Sequence, residues 1–396
     1  MTHLAGSSKL LRAMNSSAAL ALLLDRGRLT RGELRELTGL SKPTVSEALR
    51  RLVDAELATM VGHISGGPGP NAEVYAVNPD ASYVVAVSVR ETADGDPSAI
   101  AAALCDLTAT VRSRAERAVF FEQTDPVEAV ASVVEALTQE AGVARVRLDH
   151  VQLGVTGAYD PATRTIHHVD IAGFDRPGLV ADLAERIGVN VDVDNDANLA
   201  AVAERRHGCA AGVDSFAVFW LGEGLGLAID LGGKLLRGAR GGAGEIGYMP
   251  LFDPSRAGAE PRTVPLADLT DLVGGPAVLA LAKQHGHAGR TPEEAVATAA
   301  GDPVFLAALA DRVAVGLAAV VAVLDPPLVV LAGPVAKAGG EALRDAVVVA
   351  MHNAAPLETT VEVTAVEDDP VLLGGLDAAL SVVRGRLLAG LQRPAA

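Results

Sequence analysis

The feature that most constrains this 396-residue chain is an abrupt change of pattern at Asn78-Pro79. Before it, apolar residues recur at helical spacing between Gly, Pro, Ser and Thr punctuation. After it, β-branched runs alternate with helical stretches, and the same order of elements comes round twice. A chain that switches period in this way folds as a small helical head on a larger α/β body. At roughly 150 residues per domain, the length accommodates two or three domains. The boundaries read as 1–78 for the head, 79–200 for a first lobe and 201–396 for a second, whose last helix packs back on the first.

In the head, periodicity predicts a helix over 8–25 and a second from Thr30, where Thr30-Arg31-Gly32-Glu33 has capping-box spacing. Gly39 supplies the turn. A third helix is predicted from Ser41, whose hydroxyl is expected to cap the free amides, with Pro43 in the first turn where no donor is missed. Val45, Leu49 and Leu52 form its apolar face, opposite Leu34, Leu37 and Leu40. Strands over 57–64 and 73–77 flank the loop Gly66-Gly67-Pro68-Gly69-Pro70. Three helices and a hairpin make a winged helix-turn-helix, an arrangement that binds double-stranded DNA.

Charge points the same way. The formal net charge is −16, yet residues 1–65 hold nine Lys/Arg against six acids, giving +3, while the remainder carries −19. A basic head on an acidic body predicts that the head alone meets a polyanion. Aromatics make up only 3% of the chain, too few for a surface that stacks unpaired bases. The helix from Ser41 is expected in the major groove. The candidate DNA contacts are Arg28, Arg31, Ser41, Lys42, Pro43, Thr44, Ser46, Glu47 and Arg50, with the 66–71 wing near the minor groove.

Two distant cysteines, Cys105 and Cys209, make neither a disulfide framework nor a cysteine zinc site, and fit a reducing cytoplasm. The apolar run 18–24 is too short for a signal peptide and lacks a small-x-small cleavage site. The run 313–324 is too short to cross a bilayer.

In the body, strands are predicted near 83–89, 99–106, 110–119, 151–156 and 191–194, with helices near 126–141 and 179–187. A second round has strands near 216–221, 225–230, 234–236, 328–332 and 361–366. Its helices lie near 277–284, 292–299, 302–324 and 341–352, and a last one runs from about 371. Two such rounds predict a duplicated body whose lobes enclose a cleft. The sharpest polar segment is Asp192-Val193-Asp194-Asn195-Asp196, where a strand runs into a helix and ligands gather in α/β folds. Asn195 and Asp196 have the chemistry to hold a polyhydroxylated ligand. Glycine-rich turns at 222–226 and 241–247 fit backbone approach to phosphate or ordinary hairpins, and Glu223 opposes a polyphosphate. His167-His168 and His285-Gly286-His287 lack partner ligands for a metal.

Together these residues resemble the ROK (repressor, open reading frame, kinase) family, specifically its transcriptional regulators. The resemblance rests on 27–34 and 38–46 in the head, and on Gly154-Val155-Thr156-Gly157, Asn195-Asp196-Ala197-Asn198, Gly244-Glu245-Ile246-Gly247 and Asp325 to Gly333 in the body. It implies a two-lobed actin-like ATPase, sugar-kinase-type body. The sugar-side positions it implies are Thr156, Gly157, Asp170, Asn195, Asp196, Glu245 and Tyr248. Departures are as informative. Ser88-Val89-Arg90-Glu91-Thr92 stands where family kinases have an Asp-x-Gly-Gly-Thr phosphate loop, and Glu223 stands where they have Thr. Tyr248 replaces a zinc-binding His, 252–264 holds no cysteine, Thr270 lies near the place of a second sugar-binding Glu, and Phe174 stands where Trp is common. The resemblance therefore implies a regulator with no catalytic residues, no ATP and no zinc. It is expected to be a cytoplasmic homodimer or dimer of dimers, most simply a repressor, sensing a sugar or derivative, without membrane contact. The alternatives are an active ATP-dependent sugar kinase with a DNA-binding head, and a regulator that answers to a protein partner.

Overall fold

The computed structural model describes residues 3–64, 72–90, 96–169, 171–251, 267–354 and 358–392. The head comprises α1 (His3–Arg26), β1 (Leu29–Thr30), α2 (Arg31–Thr38), α3 (Lys42–Asp54), β2 (Ala58–Ile64) and β3 (Ala72–Val77). β3 pairs antiparallel with both β1 and β2. The wing loop falls outside the described residues.

α2 begins at a capping box. Thr30 Oγ1 accepts from the Glu33 amide, and the Glu33 carboxylate accepts from the Thr30 amide at 2.7 Å. It ends at Gly39, whose φ of 69° is left-handed backbone that glycine adopts without strain. α3 departs from the expectation: Ser41 caps no amide. Its hydroxyl is taken up by the Thr44 hydroxyl at 2.8 Å, and Pro43 presents no N–H to cap. Leu37 departs too, since it is exposed while Leu34 is buried and Leu40 partly so; an eight-residue helix lays only one edge on its neighbours.

The first lobe contains β4 (Tyr83–Arg90), β5 (Ser98–Asp106), β6 (Val111–Val119), α4 (Pro126–Glu140), β7 (Leu148–Val155), β8 (Ala158–Asp160), β9 (Thr165–His167), α5 (Leu179–Ile187), β10 (Asn190–Asn195) and α6 (Asp196–His207). After it come β11 (Phe216–Leu221), β12 (Leu225–Leu231), β13 (Lys234–Leu235), α7 (Leu269–Val273), α8 (Gly275–Gln284), α9 (Pro292–Ala299) and α10 (Pro303–Leu324). The chain finishes with β14 (Leu328–Ala332), α11 (Pro334–Ala354), β15 (Thr360–Val363) and α12 (Pro370–Gln392).

The two body sheets run β6-β5-β4-β7-β10 and β13-β12-β11-β14-β15. Each is an antiparallel three-strand meander with two further strands added in parallel. This is the expected duplication. The short hairpin of β8 and β9 is an addition that three-residue strands leave invisible to periodicity.

α10 is a 22-residue helix, long and apolar enough to cross a membrane by length and composition, so the run 313–324 understates it. Its Phe305, Leu309, Val313, Leu317 and Val320 are buried at helical spacing in the second lobe's core. α11 starts earlier than expected because Gly340, with φ 56° and ψ −150°, kinks it and hides the first segment from a single helical period.

The head does not stand apart as a separate module. One apolar cluster joins Leu20 and Leu23 of α1, Val45, Leu49 and Leu52 of α3, Val84 and Ala86 of β4, Ala103 and Cys105 of β5, and Leu376, Leu380 and Val383 of α12. α12 crosses the sheet at close range. A Cβ on Gly374 would stand 1.8 Å from the Leu199 carbonyl oxygen of α6, and one on Gly375 would stand 2.9 Å from Ala86 Cβ.

Leu380→Ala removes a fully buried side chain from this cluster and is expected to cost about 2–5 kcal/mol. Hydrogen exchange is expected to show lost amide protection in α1 and α3 as well as in α12. Protection of α1 and α3 at the wild-type level would mean that the head holds its structure without the body.

Candidate effector site and DNA-contact surface

On α3, Val45, Ala48, Leu49 and Leu52 face inward, which leaves Lys42 and Arg50 exposed with Thr44, Ser46 and Glu47 partly so. Arg28 is likewise exposed, and among the described residues neither it nor Lys42 makes an ion pair. Two of the arginine candidates are already engaged. Arg50 Nη2 donates to Glu47 Oε2 at 2.6 Å, one turn away, and this contact raises the Arg50 pKa. Arg31 Nη2 lies 2.6 Å from both Glu73 Oε2 and the Tyr75 hydroxyl, with its guanidinium 5.4 Å from the Tyr75 ring centre. Arg31 therefore ties α2 to the hairpin strand β3 inside the head.

The sugar-side candidates gather at the ends of β7 and β10. Asn195 is the N-cap of α6, with its Oδ1 accepting from the Ala197 amide at 2.9 Å and its Nδ2 donating to the Gly157 carbonyl at 3.0 Å. Both ends of its amide are thereby used, so Asn195 fastens the β7 turn to α6. Gly157 cannot be replaced there: φ is 115°, and a Cβ would lie 2.6 Å from the His167 carbonyl oxygen. Asp196 opens the helix itself, its Oδ1 accepting from the Ala197 amide at 2.7 Å. Thr156 is half-buried beside them. Asp170 falls outside the described residues.

The other polar groups of β10 have structural partners. Asp194 is buried, accepts from Asn198 Nδ2 at 2.8 Å, and meets Arg237 Nη2 at 2.6 Å across from the second lobe. Asp192 lies 3.3 Å from Nε2 of the buried His150, which holds its carboxyl below the usual range.

From the second lobe, Gly244 (φ 98°) brings Glu245 against β12, where a Cβ on that glycine would meet the Leu227 carbonyl oxygen at 1.8 Å. Burial pushes the Glu245 carboxyl up, and His168 opposes that rise. The His168 ring lies 5.0 Å from that of Tyr248. His168 thus belongs to this cluster, although its sequence context offers only a histidine pair without metal partners. Its left-handed backbone, φ 58°, is what turns it there, and no spacing rule reveals that. A cleft of about 1000 Å³ runs between the lobes beside α6 and shares only Asn195 with the predicted sugar-side residues.

The phosphate side is built differently. Arg90, at the end of β4, pairs with Glu116 at 3.1 Å and Asp369 at 3.6 Å. The Glu223 carbonyl accepts from the Gly275 amide at 2.9 Å, and its carboxylate lies so close that a Cβ on Gly275 would meet Oε2 at 2.8 Å. The start of α8, where amides favour an anion, therefore already faces the protein's own carboxylate. Thr270 fills space beside Gly247, its Oγ1 lying 2.6 Å from where a Cβ would be.

A winged helix-turn-helix head joined to a two-lobed, duplicated α/β body with a polar cluster between its lobes is the build of a ROK-type regulator. The chain belongs to the ROK family, which residues 95–380 match, and residues 13–62 match the MarR family. The bifunctional enzyme NanE/NanK of Brucella suis is 35% identical over 165 residues, covering 40% of this chain and 30% of that protein. The putative xylose repressor of a Caldicellulosiruptor species is 24% identical over 250 residues, covering 62% of this chain and 61% of that one. This chain thus spans under a third of the first relative's length and about three fifths of the second's. The structure of a ROK family transcriptional regulator, a homologue of the E. coli MLC protein, superposes with a TM-score of 0.73 at 16% identity, over 97% of this chain and 99% of that one. The shared fold therefore includes head and body together, and the family's relatives include both repressors and kinases.

A buried carboxyl with a raised pKa favours the folded state at acid pH, and that contribution is lost as pH rises through its folded-state pKa. Glu245→Gln mimics the protonated form. It is expected to melt higher than wild type at pH 7.5, by about a degree or more, with the gap closing near pH 4. An unchanged or lower melting temperature at pH 7.5 would show that Glu245 carries no burial strain.

Proposed function

We propose that this chain is a cytoplasmic, sequence-specific DNA-binding transcription regulator, acting as a repressor, whose body senses a sugar or sugar derivative. The observation that carries the reading is asymmetric retention. The sugar-side groups Asn195, Asp196 and Glu245 remain in place, while the phosphate side carries Arg90 and Glu223 as part of its own ion pairs and packing. Phosphoryl transfer needs positioned phosphates and magnesium; the Glu223 carboxylate repels the first, and Arg90 is drawn into ion pairs with Glu116 and Asp369. The body is then a sensor and not an enzyme. The donor set does not fit zinc either: an exposed Tyr248 on the His168 ring stands at the expected ligand position. A carboxylate such as Asp196, once freed from proton abstraction, serves as an acceptor for sugar hydroxyls.

Two heads are needed to read two half-sites about 34 Å apart, so the reading includes a homodimer. A sugar that binds one arrangement of the lobes better than another shifts the spacing of the heads, and so the operator affinity.

The test is operator selection with the purified protein, followed by binding measurements with a panel of sugars and sugar phosphates. A sugar that shifts operator affinity without consuming ATP supports the proposal. Turnover of ATP with any hexose, well above a purification blank, overturns it in favour of a kinase. Asp196→Asn is expected to raise the sugar concentration needed for response by one to two orders of magnitude, since charge-assisted bonds contribute about 1.5–3 kcal/mol.

For the head, Lys42→Ala is expected to weaken operator binding. If Lys42 meets only phosphate, the slope of log affinity against log salt falls by about one. Unchanged binding by a Lys42→Ala/Thr44→Ala variant would place α3 outside the groove.

A further inference from the structure

The sugar-side cluster and the DNA-contact helix lie at opposite ends of one continuous set of packed elements. Asn195 and Asp196 form the N-terminal end of α6. Its C-terminal end carries Arg206 and His207, and both reach across to one buried residue of α12. Arg206 Nε lies 3.2 Å from Asp377 Oδ1, and His207 Nε2 lies 2.6 Å from Asp377 Oδ2. One turn before that contact, Gly374 lets the two helices touch backbone to backbone at Leu199. α12 then continues into the head. Leu376, Leu380 and Val383 share the cluster of α1 and α3, Ser17 Oγ of α1 donates to the Leu388 carbonyl at 3.3 Å, and Gln392 Nε2 donates to Ser17 Oγ at 3.2 Å.

Asp377 is out of place by composition: it is the only acid in a helix whose surrounding turns are apolar. A buried carboxylate costs free energy unless it is paired, and here both oxygens are taken by cationic or polar groups of a different helix. Both partners sit in the last turn of α6, where the positive charge of Arg206 also complements the helix dipole. Arg206 and Asp377 line the interlobe cleft, which Arg237 and Lys234 face from the second lobe.

We propose that Asp377 is the positioning residue that couples the sugar-side cluster to the DNA-contact helix, by clamping the far end of α6 to α12. Movement at Asn195 and Asp196 is carried as a rigid shift of α6, handed to α12 through Asp377 and Gly374, and delivered to α1 and α3. Two sites linked through packed elements in this way share a reciprocal coupling free energy. The proposal rests on the sensing function above for its biological meaning, and on the contacts alone for its mechanics.

The experiment has two arms. In the first, hydrogen exchange is followed without ligand in Asn195→Ala, which removes the α6 cap, and again in Asn195→Ala with Asp377→Asn. The clamp predicts that uncapping raises exchange in α6, α12 and α1 together, and that Asp377→Asn confines the rise to α6. Exchange that never reaches α12 and α1, or reaches them equally with and without Asp377, overturns the proposal whether or not any sugar is sensed.

In the second arm, operator affinity is measured with and without the most strongly stabilising sugar of the panel, in wild type, Asp377→Asn and His207→Gln. His207 lies at the exposed end of the contact, so its variant keeps the buried carboxylate and guards against misfolding. A coupling of the usual 5–150-fold in wild type is expected to fall toward one in the variants, with sugar affinity and sugar-free operator affinity each within about threefold. Coupling that survives in both variants overturns the clamp. A wild type without any sugar response counts against the sensing function, and the exchange arm then decides the clamp by itself.

Discussion

Everything in this molecule depends on one apolar core assembled from three distant parts of the chain. The inner faces of α1 and α3, one face of the β4 and β5 sheet, and α12 bury their side chains in one another, and no one of the three has another place to put them. The hydrophobic effect is indifferent to domain boundaries and rewards whatever removes apolar area from water. The consequence is that a head with the composition of an independent DNA-binding module is held by the body at a defined angle. Leu20, Leu23, Val45, Leu49 and Leu52 point into the shared interior, while Arg28, Lys42 and Arg50 are exposed.

The body has the ROK family's duplicated architecture with its own side chains at the cleft. Its duplicated sheets still converge on a cleft where strand ends and helix starts meet, and the α6 start still presents a carboxylate there. What differs is the other half of the cleft. Arg90 and Glu223 are satisfied within the protein, so the anion-seeking ends of the structure are quiet before any nucleotide arrives. Phosphoryl transfer depends on electrostatic positioning, and under the proposed function these internal pairs weaken it without disturbing the fold.

Much of this was legible in the residues. The bounds 179–187, 216–221, 292–299 and 328–332 follow directly from glycine, proline and aspartate punctuation around apolar runs, and the capping box at Thr30 is read from two side chains. The misses have physical causes. Ser41 has the right type for a cap, but its hydroxyl finds Thr44 first. Arg31 looks like a phosphate ligand until β3 brings Glu73 and Tyr75 beside it, a pairing set by tertiary register. Asn195 also has a structural duty, capping α6 with its Oδ1 and tethering the turn after β7 with its Nδ2, and His168 enters the cluster only through a backbone angle. Asp377 left a trace, a single acid in an apolar helix, but its partners are about 170 residues away and share no motif with it.

The closing of the shared core by α12 has a bearing on how the protein is made. Ser17 and Leu388 are 371 positions apart, so the head emerges from the ribosome long before the helix that completes its interior. Contacts of such long sequence separation form late, because the chain between them must be ordered first. A nascent or shortened chain therefore displays its basic helix on a loose support. Under the proposed function, a firm support for α3 and a complete body therefore arrive together, when synthesis has run through α12.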